Sequence, residues 1–247
     1  MANESAAGPD RSGDRGRPAR LSRERVLAAA LELVDREGLS ALSMRRLGAD
    51  LGVEAMSLYR YAPGKEALVD GLVEALYLQL EDRLDQAPVP TSAPTSAPAA
   101  RAFEQRADLQ RIALTTYQVC LEHAQVVPLL STRMMAVPLA RRPLPVLRDH
   151  ERVLTLLRDA GLDQARSATV LRAFTAWVLG YISVELRAMV DNPEEPDPAF
   201  RFGLHRLPAQ DLPRLRESTL ALAERGGPEG LAAGVDALLD RFAGLHE

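Results

Sequence analysis

The sequence predicts an all-α protein, and three observations carry that expectation. Apolar residues recur at helical spacing in one block after another. No stretch sustains the alternation of a half-buried strand. Aromatic residues, which strands favour, make up only 4% of the 247 residues. Hydrophobic residues reach 47%, ample for a packed core. No run of 18 uninterrupted apolar residues occurs, so no membrane-spanning helix is expected. Residues 1–20 are polar with no apolar h-region, so no signal peptide is expected either. The single cysteine, Cys120, excludes an internal disulfide and a cysteine-based zinc site. A cytoplasmic location is the expectation.

Residues 1–20, rich in Gly, Ser, Pro and charge, read as a disordered arm, whose Arg15-Gly16-Arg17-Pro18 could enter a minor groove. Ser22 then offers an N-cap to a first helix. Its apolar stripe runs through Val26, Leu27, Ala30, Leu31, Leu33 and Val34, and Gly38 ends it. Ser43 caps a short helix reaching about Leu51, Gly52 makes a turn, and Val53 plugs the angle. A further helix is expected from about Ala55 to Tyr61 with Leu58 inward, and Pro63-Gly64 breaks it. A long helix follows from Lys65 to about Asp85.

The spacing therefore sets out a head over 21–68, a connecting helix over 69–86, and a Pro-rich linker over 87–100. A helical region over 101–247 completes the chain. Within that region helices are expected over roughly 101–124, 126–136, 143–160, 163–191, 208–225 and 228–245. Two have regular apolar stripes: Val170, Phe174, Trp177 and Tyr181 in one, Leu231, Val235, Leu238, Phe242 and Leu245 in the other. Each stripe fits a core face, and together they fit a four-helix homodimer interface.

Two helices joined by a glycine turn form a helix-turn-helix, a motif that lays its second helix in the major groove of double-stranded DNA. The net charge of −4 argues against nucleic acid, but its distribution does not. Arg11 to Glu66 holds 11 basic and 8 acidic side chains, whereas Ala67 onward holds 19 and 24. A basic end on an acidic body suits docking by one domain. The only lysine, Lys65, lies just past the motif.

Ser22–Leu68 resembles the N-terminal domain of the TetR family of bacterial regulators. The likeness rests on Glu37-Gly38, Ser43-Met44-Arg45-Arg46-Leu47-Gly48, Leu51-Gly52-Val53, Ser57-Leu58-Tyr59 and Lys65-Glu66-Ala67-Leu68. The run from Leu51-Gly52-Val53-Glu54 to Leu58-Tyr59 looks most like the branch of the tetracycline repressor itself. The resemblance implies DNA contacts at Ser43, Arg45, Glu54, Ala55, Met56, Ser57, Tyr59, Tyr61 and Lys65, and leaves Arg46 open between phosphate contact and solvated surface. Arg45 matches a base-reading position, where a guanidinium can donate twice to guanine. Tyr59 and Tyr61 match positions whose hydroxyls reach phosphates, and Lys65 matches a phosphate site at a helix start. Ala62 stands where the family usually has phenylalanine.

The family's fold further implies a larger helical C-terminal domain that dimerises and binds a small-molecule effector. Its palindromic operator has half-sites about 34–36 Å apart on one face of the duplex, and the effector re-spaces the two heads. Tyr117, Met134, Met135, Phe174, Trp177 and Tyr181 are candidates to line the effector cavity, and Arg133 to meet an anionic effector. His123 and His150 lack the spacing of a metal pair, so no cofactor, metal or tetracycline–magnesium chemistry is inferred. The resulting expectation is a ligand-responsive repressor, nucleoid-associated when bound to DNA. A helical enzyme and a ligand-independent DNA-binding protein are the alternatives. No catalytic residue is assigned, because no nucleophile elbow, phosphate loop or cysteine–histidine set occurs.

Overall fold

The computed structural model describes residues 21–86, 98–186, 194–197, 200, 203, 206–208, 210–223 and 226–243, without the side chains of 98–103, 134–135, 223 and 242–243. Every regular element among the described residues is helical: α1 (Arg23–Glu37), α2 (Met44–Leu51), α3 (Ala55–Leu58), α4 (Lys65–Gln86), α5 (Pro98–Glu122), α6 (Val127–Leu129), α7 (Leu144–Asp159), α8 (Gln164–Glu185), α9 (Pro213–Ala223) and α10 (Gly227–Leu238). Leu130–Met135 and Leu239–Ala243 continue α6 and α10 as π-helical turns.

The helix ends follow the capping chemistry read from the sequence. The Ser22 and Ser43 side chains accept from the Arg25 and Arg46 amides, each at 3.2 Å, and Asp163 does the same for α8 at 2.8 Å. Gly52 closes α2 with φ 66° and ψ 32°, a left-handed conformation in which a side chain is strained. Several boundaries differ from expectation: α8 ends at Glu185 rather than 191, α9 begins at Pro213 rather than 208, and two further ends have a clear local cause. The regular part of α3 stops at Leu58, because the Tyr61 and Ala62 amides both turn back to the Leu58 carbonyl at 2.9 and 3.1 Å. The α5 helix begins at Pro98 rather than beyond residue 100. Proline is tolerated at a helix start, where its missing N–H would have no partner anyway. The rest of the expected linker lies outside the described residues.

The helix α4 carries the architecture. Its N-terminal half packs on α1, and its length also meets α5 and α7. It is therefore apolar nearly all round, burying Leu68, Val69, Leu72, Val73, Leu76, Tyr77, Leu80 and Leu84. The stripe read in α1 is buried in full. Ala62, where a phenylalanine was expected, is wholly buried, so the smaller side chain sits in a closed-up site. The body closes where α8 and α10 pack together and α5 lies against both. Leu231 and Val235 of the α10 stripe are buried, whereas Phe242 and Leu245 lie outside the described side chains.

Packing between α2 and α3 leaves no slack. A Cβ on Gly48 would lie 2.8 Å from the Val53 carbonyl oxygen and 3.2 Å from the Ala55 amide, both backbone atoms. Gly48→Ala should therefore cost about 1–3 kcal/mol and lower the midpoint of thermal unfolding followed by circular dichroism. An unchanged midpoint would show that the turn can yield.

Candidate nucleic-acid interface and effector region

The head presents α3 and the start of α2 outward. Met56 is 75% exposed and Tyr59 44%, while Leu58 between them is buried and orients the helix. Glu54 is exposed, Ala55 and Ser57 are half-buried, and the Ser57 hydroxyl donates to the Glu54 carbonyl at 2.7 Å. Arg45 is exposed with no ion pair among the described residues, at the edge of a shallow hollow with Gly48, Ala49, Val53 and Glu54. Lys65 is exposed at the first turn of α4. Ser43, Arg45, α3 and Lys65 thus surround one helix-turn-helix.

Two expected contacts are engaged elsewhere. Arg46 donates through Nε to Glu37 at 3.0 Å and through Nη1 to Asp50 at 2.6 Å, and Arg36 holds the other Asp50 oxygen at 2.6 Å. These carboxylates, Glu37 foremost, raise the Arg46 pKa above its ordinary value. Arg46 therefore staples α2 to α1. Tyr61 is half-buried, and its hydroxyl donates to the Leu21 carbonyl at 2.6 Å. The Tyr61 carbonyl accepts from Arg23, whose guanidinium also pairs with Glu74 of α4 at 2.7 Å, and Arg60 lies 4.6 Å over the Tyr61 ring. Tyr61 locks the end of the recognition turn onto the start of α1, and Arg23 carries that tie on to Glu74 in the middle of α4.

In the body, Tyr117, Trp177 and Tyr181 come together, with ring centroids 6.3 Å (Tyr117–Tyr181) and 5.6 Å (Trp177–Tyr181) apart. Their polar tips are spent within the protein. Trp177 Nε1 donates to the Leu231 carbonyl at 3.3 Å, Tyr181 to the Gly227 carbonyl at 2.7 Å, and Tyr117 to buried Glu185 at 3.4 Å. The rings fill the space left by α10 glycines. A Cβ on Gly230 would meet Tyr181 Oη at 2.5 Å, and one on Gly234 would meet Trp177 Cζ2 at 2.0 Å. Phe174 is buried on the same helix, and the Met134 and Met135 side chains lie outside the described residues. These aromatics serve helix packing in this structure, a use their helical spacing already allowed.

Arg133, read as a candidate for an anionic effector, is turned onto α4, pairing with Glu66 at 2.6 Å and Asp70 at 3.3 Å. A residue missed in the sequence is Asp149 of α7. Its Oδ1 is sealed from solvent and has no hydrogen-bond partner among the described residues. Burial pushes its carboxyl up to about 6, against a smaller opposing pull from Arg152. A lone acid in an amphipathic helix gives no sequence signal of this kind, because the burial comes from α4. His123, at the end of α5, is also buried. Its Nδ1 lies 2.6 Å from Asp35 of α1 and its Nε2 2.7 Å from Gln79 Oε1 of α4.

Comparison with known proteins agrees with this architecture. The family described as "Bacterial regulatory proteins, tetR family" matches residues 26–72, and "Tetracyclin repressor-like, C-terminal domain" matches 97–230, more than half of the chain. The chain belongs to the TetR family. Over 170 residues it is 32% identical to the HTH-type transcriptional repressor DrrR1 of Streptomyces coeruleorubidus, a stretch covering 69% of this chain. That stretch spans 56% of DrrR1, little over half its length. A possible TetR family regulator from Streptomyces coelicolor A3(2) shares the fold at TM-score 0.66 and 21% identity, covering 91% of this chain and all of the other. A TetR variant from Acinetobacter baumannii AYE, solved in complex with minocycline, shares it at TM-score 0.57 and 23% identity, covering 91% of this chain and 94% of the other.

The raised acid at Asp149 has a definite consequence for stability. Between about pH 4 and pH 6 the folded protein keeps the Asp149 proton that the unfolded chain loses. The folded state then binds more protons, so stability falls as pH rises through that window. Asp149→Asn removes the effect. Relative to wild type it should gain little at pH 4 and up to about 3 kcal/mol at pH 7.5, measured by urea unfolding across that range. A difference that stays constant with pH would show that Asp149 is solvated.

Proposed function

We propose that the protein is an effector-responsive transcriptional repressor that binds a palindromic operator as a homodimer. The observation that carries this reading is the exposed set formed by Arg45, Met56, Tyr59 and Lys65 around a buried Leu58. Arg45 keeps its donors available for a guanine edge. Met56 and Ala55 offer apolar surface to thymine methyl groups. Tyr59 reaches the backbone, and the Lys65 ammonium sits beside the amides of a helix start, both suited to phosphate. Ser43 spends its oxygen on the cap, and its hydroxyl proton remains for phosphate. In this reading Arg46 and Tyr61 stiffen the head, unless DNA draws them from their present partners. The body of packed helices exceeds what dimerisation needs, which favours an effector over a ligand-independent binder.

The dimer reading rests on α8. By length and composition this helix is apolar enough to cross a membrane, with mean hydropathy 1.3, yet only a third of that window is buried in the chain. Ala168, Arg172, Ala176, Gly180 and Val184 recur every four residues and are all exposed. The alanines and glycine along this face let two helices approach closely, and a second copy across a two-fold axis offers the same face. We place the homodimer interface there, beside α10.

Two experiments follow. Binding to DNA upstream of its own and neighbouring genes, against scrambled DNA over a salt series, should be selective and salt-sensitive. Arg45→Ala should then lose about 1–3 kcal/mol on the preferred site and relax base choice at one position, whereas Lys65→Ala should weaken all sequences alike and lower the salt slope by about 1 per contact. Equal loss everywhere for Arg45→Ala would confine it to phosphate. For the interface, Val184→Arg (60% exposed) and Gly180→Arg (open space around its Cβ) should yield a folded monomer by analytical ultracentrifugation, with operator affinity lost. Persistence of the dimer would move the interface off this face.

A further inference from the structure

One exposed charge on the DNA-reading face has no part in the contacts assigned so far. Glu54 stands at the N-cap of α3, yet its side chain makes no capping hydrogen bond. A glutamate is longer than the serine or aspartate that normally caps a helix. The cap is closed by the Glu54 main chain instead, whose carbonyl accepts from the Ser57 amide at 2.9 Å and from the Ser57 hydroxyl at 2.7 Å. Among the described residues the Glu54 carboxylate has no ion pair. Arg45 lines the same shallow hollow, whose other residues are glycine, alanine and valine, and the two opposite charges do not pair across it.

A carboxylate on this face is repelled by the phosphates of every duplex, and it recovers that loss only where a base donates a hydrogen bond to it. The major groove offers two such donors, cytosine N4 and adenine N6. A carboxylate is purely an acceptor, so the N7 lone pair beside adenine N6 repels it, as do guanine O6 and N7 and thymine O4. Cytosine alone presents its donor with no acceptor next to it on the same base. The edge of a G·C pair therefore matches the hollow, with two acceptors for a cation and one donor for an anion. Base pairs are stacked about 3.4 Å apart, so two side chains lining one hollow reach the same pair or its neighbour. We propose that Glu54 is a specificity-determining residue, accepting from the N4 amino group of a cytosine within one base step of the guanine taken by Arg45. This rests on the DNA-reading role given to Arg45 and α3 above.

The test uses the full-length protein, a randomised duplex library, and then single-base variants of the duplex it selects. Wild type should select a half-site with a cytosine within one step of a guanine. Glu54→Ala should keep the wild-type melting temperature, bind scrambled DNA more tightly, and lose about tenfold of its discrimination at the cytosine position alone. Glu54→Gln carries a donor and an acceptor, and should shift the preference there from cytosine to adenine. N4-methylcytosine keeps its base pair but blocks the hydrogen that faces the groove. It should weaken wild-type binding about tenfold and leave Glu54→Ala unaffected. A cytosine preference that survives in Glu54→Ala overturns the proposal, as does equal sensitivity of both proteins to the methylated base. A uniform gain on all sequences in Glu54→Ala would make Glu54 a general repellent and overturn it too. Selection of half-sites without that cytosine would overturn this proposal while leaving the regulator reading in place, whereas failure to select any sequence would remove both.

Discussion

The burial of α4 from two directions is the constraint on which the molecule depends. A helix packed on one side needs an apolar stripe, whereas α4 needs apolar residues almost all round. Leu68 and Leu72 belong to the head, and Leu80 and Leu84 to the body, on one uninterrupted helix. The approach of α1 is close enough that a Cβ on Gly71 would overlap Leu27 Cδ2 at 2.3 Å. Head and lever consequently move as one piece, because parting them would expose several fully buried leucines worth about 2 kcal/mol each. Anything that tilts α4 against α5 or α7 tilts the recognition helix with it.

The head is legible in the sequence because each of its features is local. A serine cap, a glycine in the left-handed region and the i, i+4 stripe of α1 are decided within a few residues, and they fall where expected. Charged and aromatic side chains of ambiguous role depend instead on what the tertiary structure brings near. Arg46 reads equally well as a DNA contact until Glu37, nine residues earlier, is seen beside it. Arg133 reads as available for an anion until the π-helical turn carries it to Glu66, 67 residues away. The aromatics of α8 read as cavity lining because the sequence does not show that glycines of α10 arrive at matching intervals to receive them. Asp149 is invisible for the same reason, its environment being made by another helix.

The polar ties of α4 to its neighbours are of two kinds with different consequences. Arg148–Glu81 and Arg152–Asp85 are solvent-facing, and such pairs contribute about 0–1 kcal/mol each. They orient α7 on α4 and add little to the burial of Leu80 and Leu84 beneath them. His123 is different. It is buried, and both ring nitrogens face oxygens, Asp35 on the head and Gln79 on the lever. An Nδ1–H donated to Asp35 leaves Nε2 to accept from the Gln79 amide once that amide is turned to donate. The Asp35 contact leaves buried His123 unsatisfied when broken, a larger penalty than a surface pair carries. The His123 contacts therefore tie α1 and α4 to the end of α5 more firmly than the surface ion pairs tie α7 to α4.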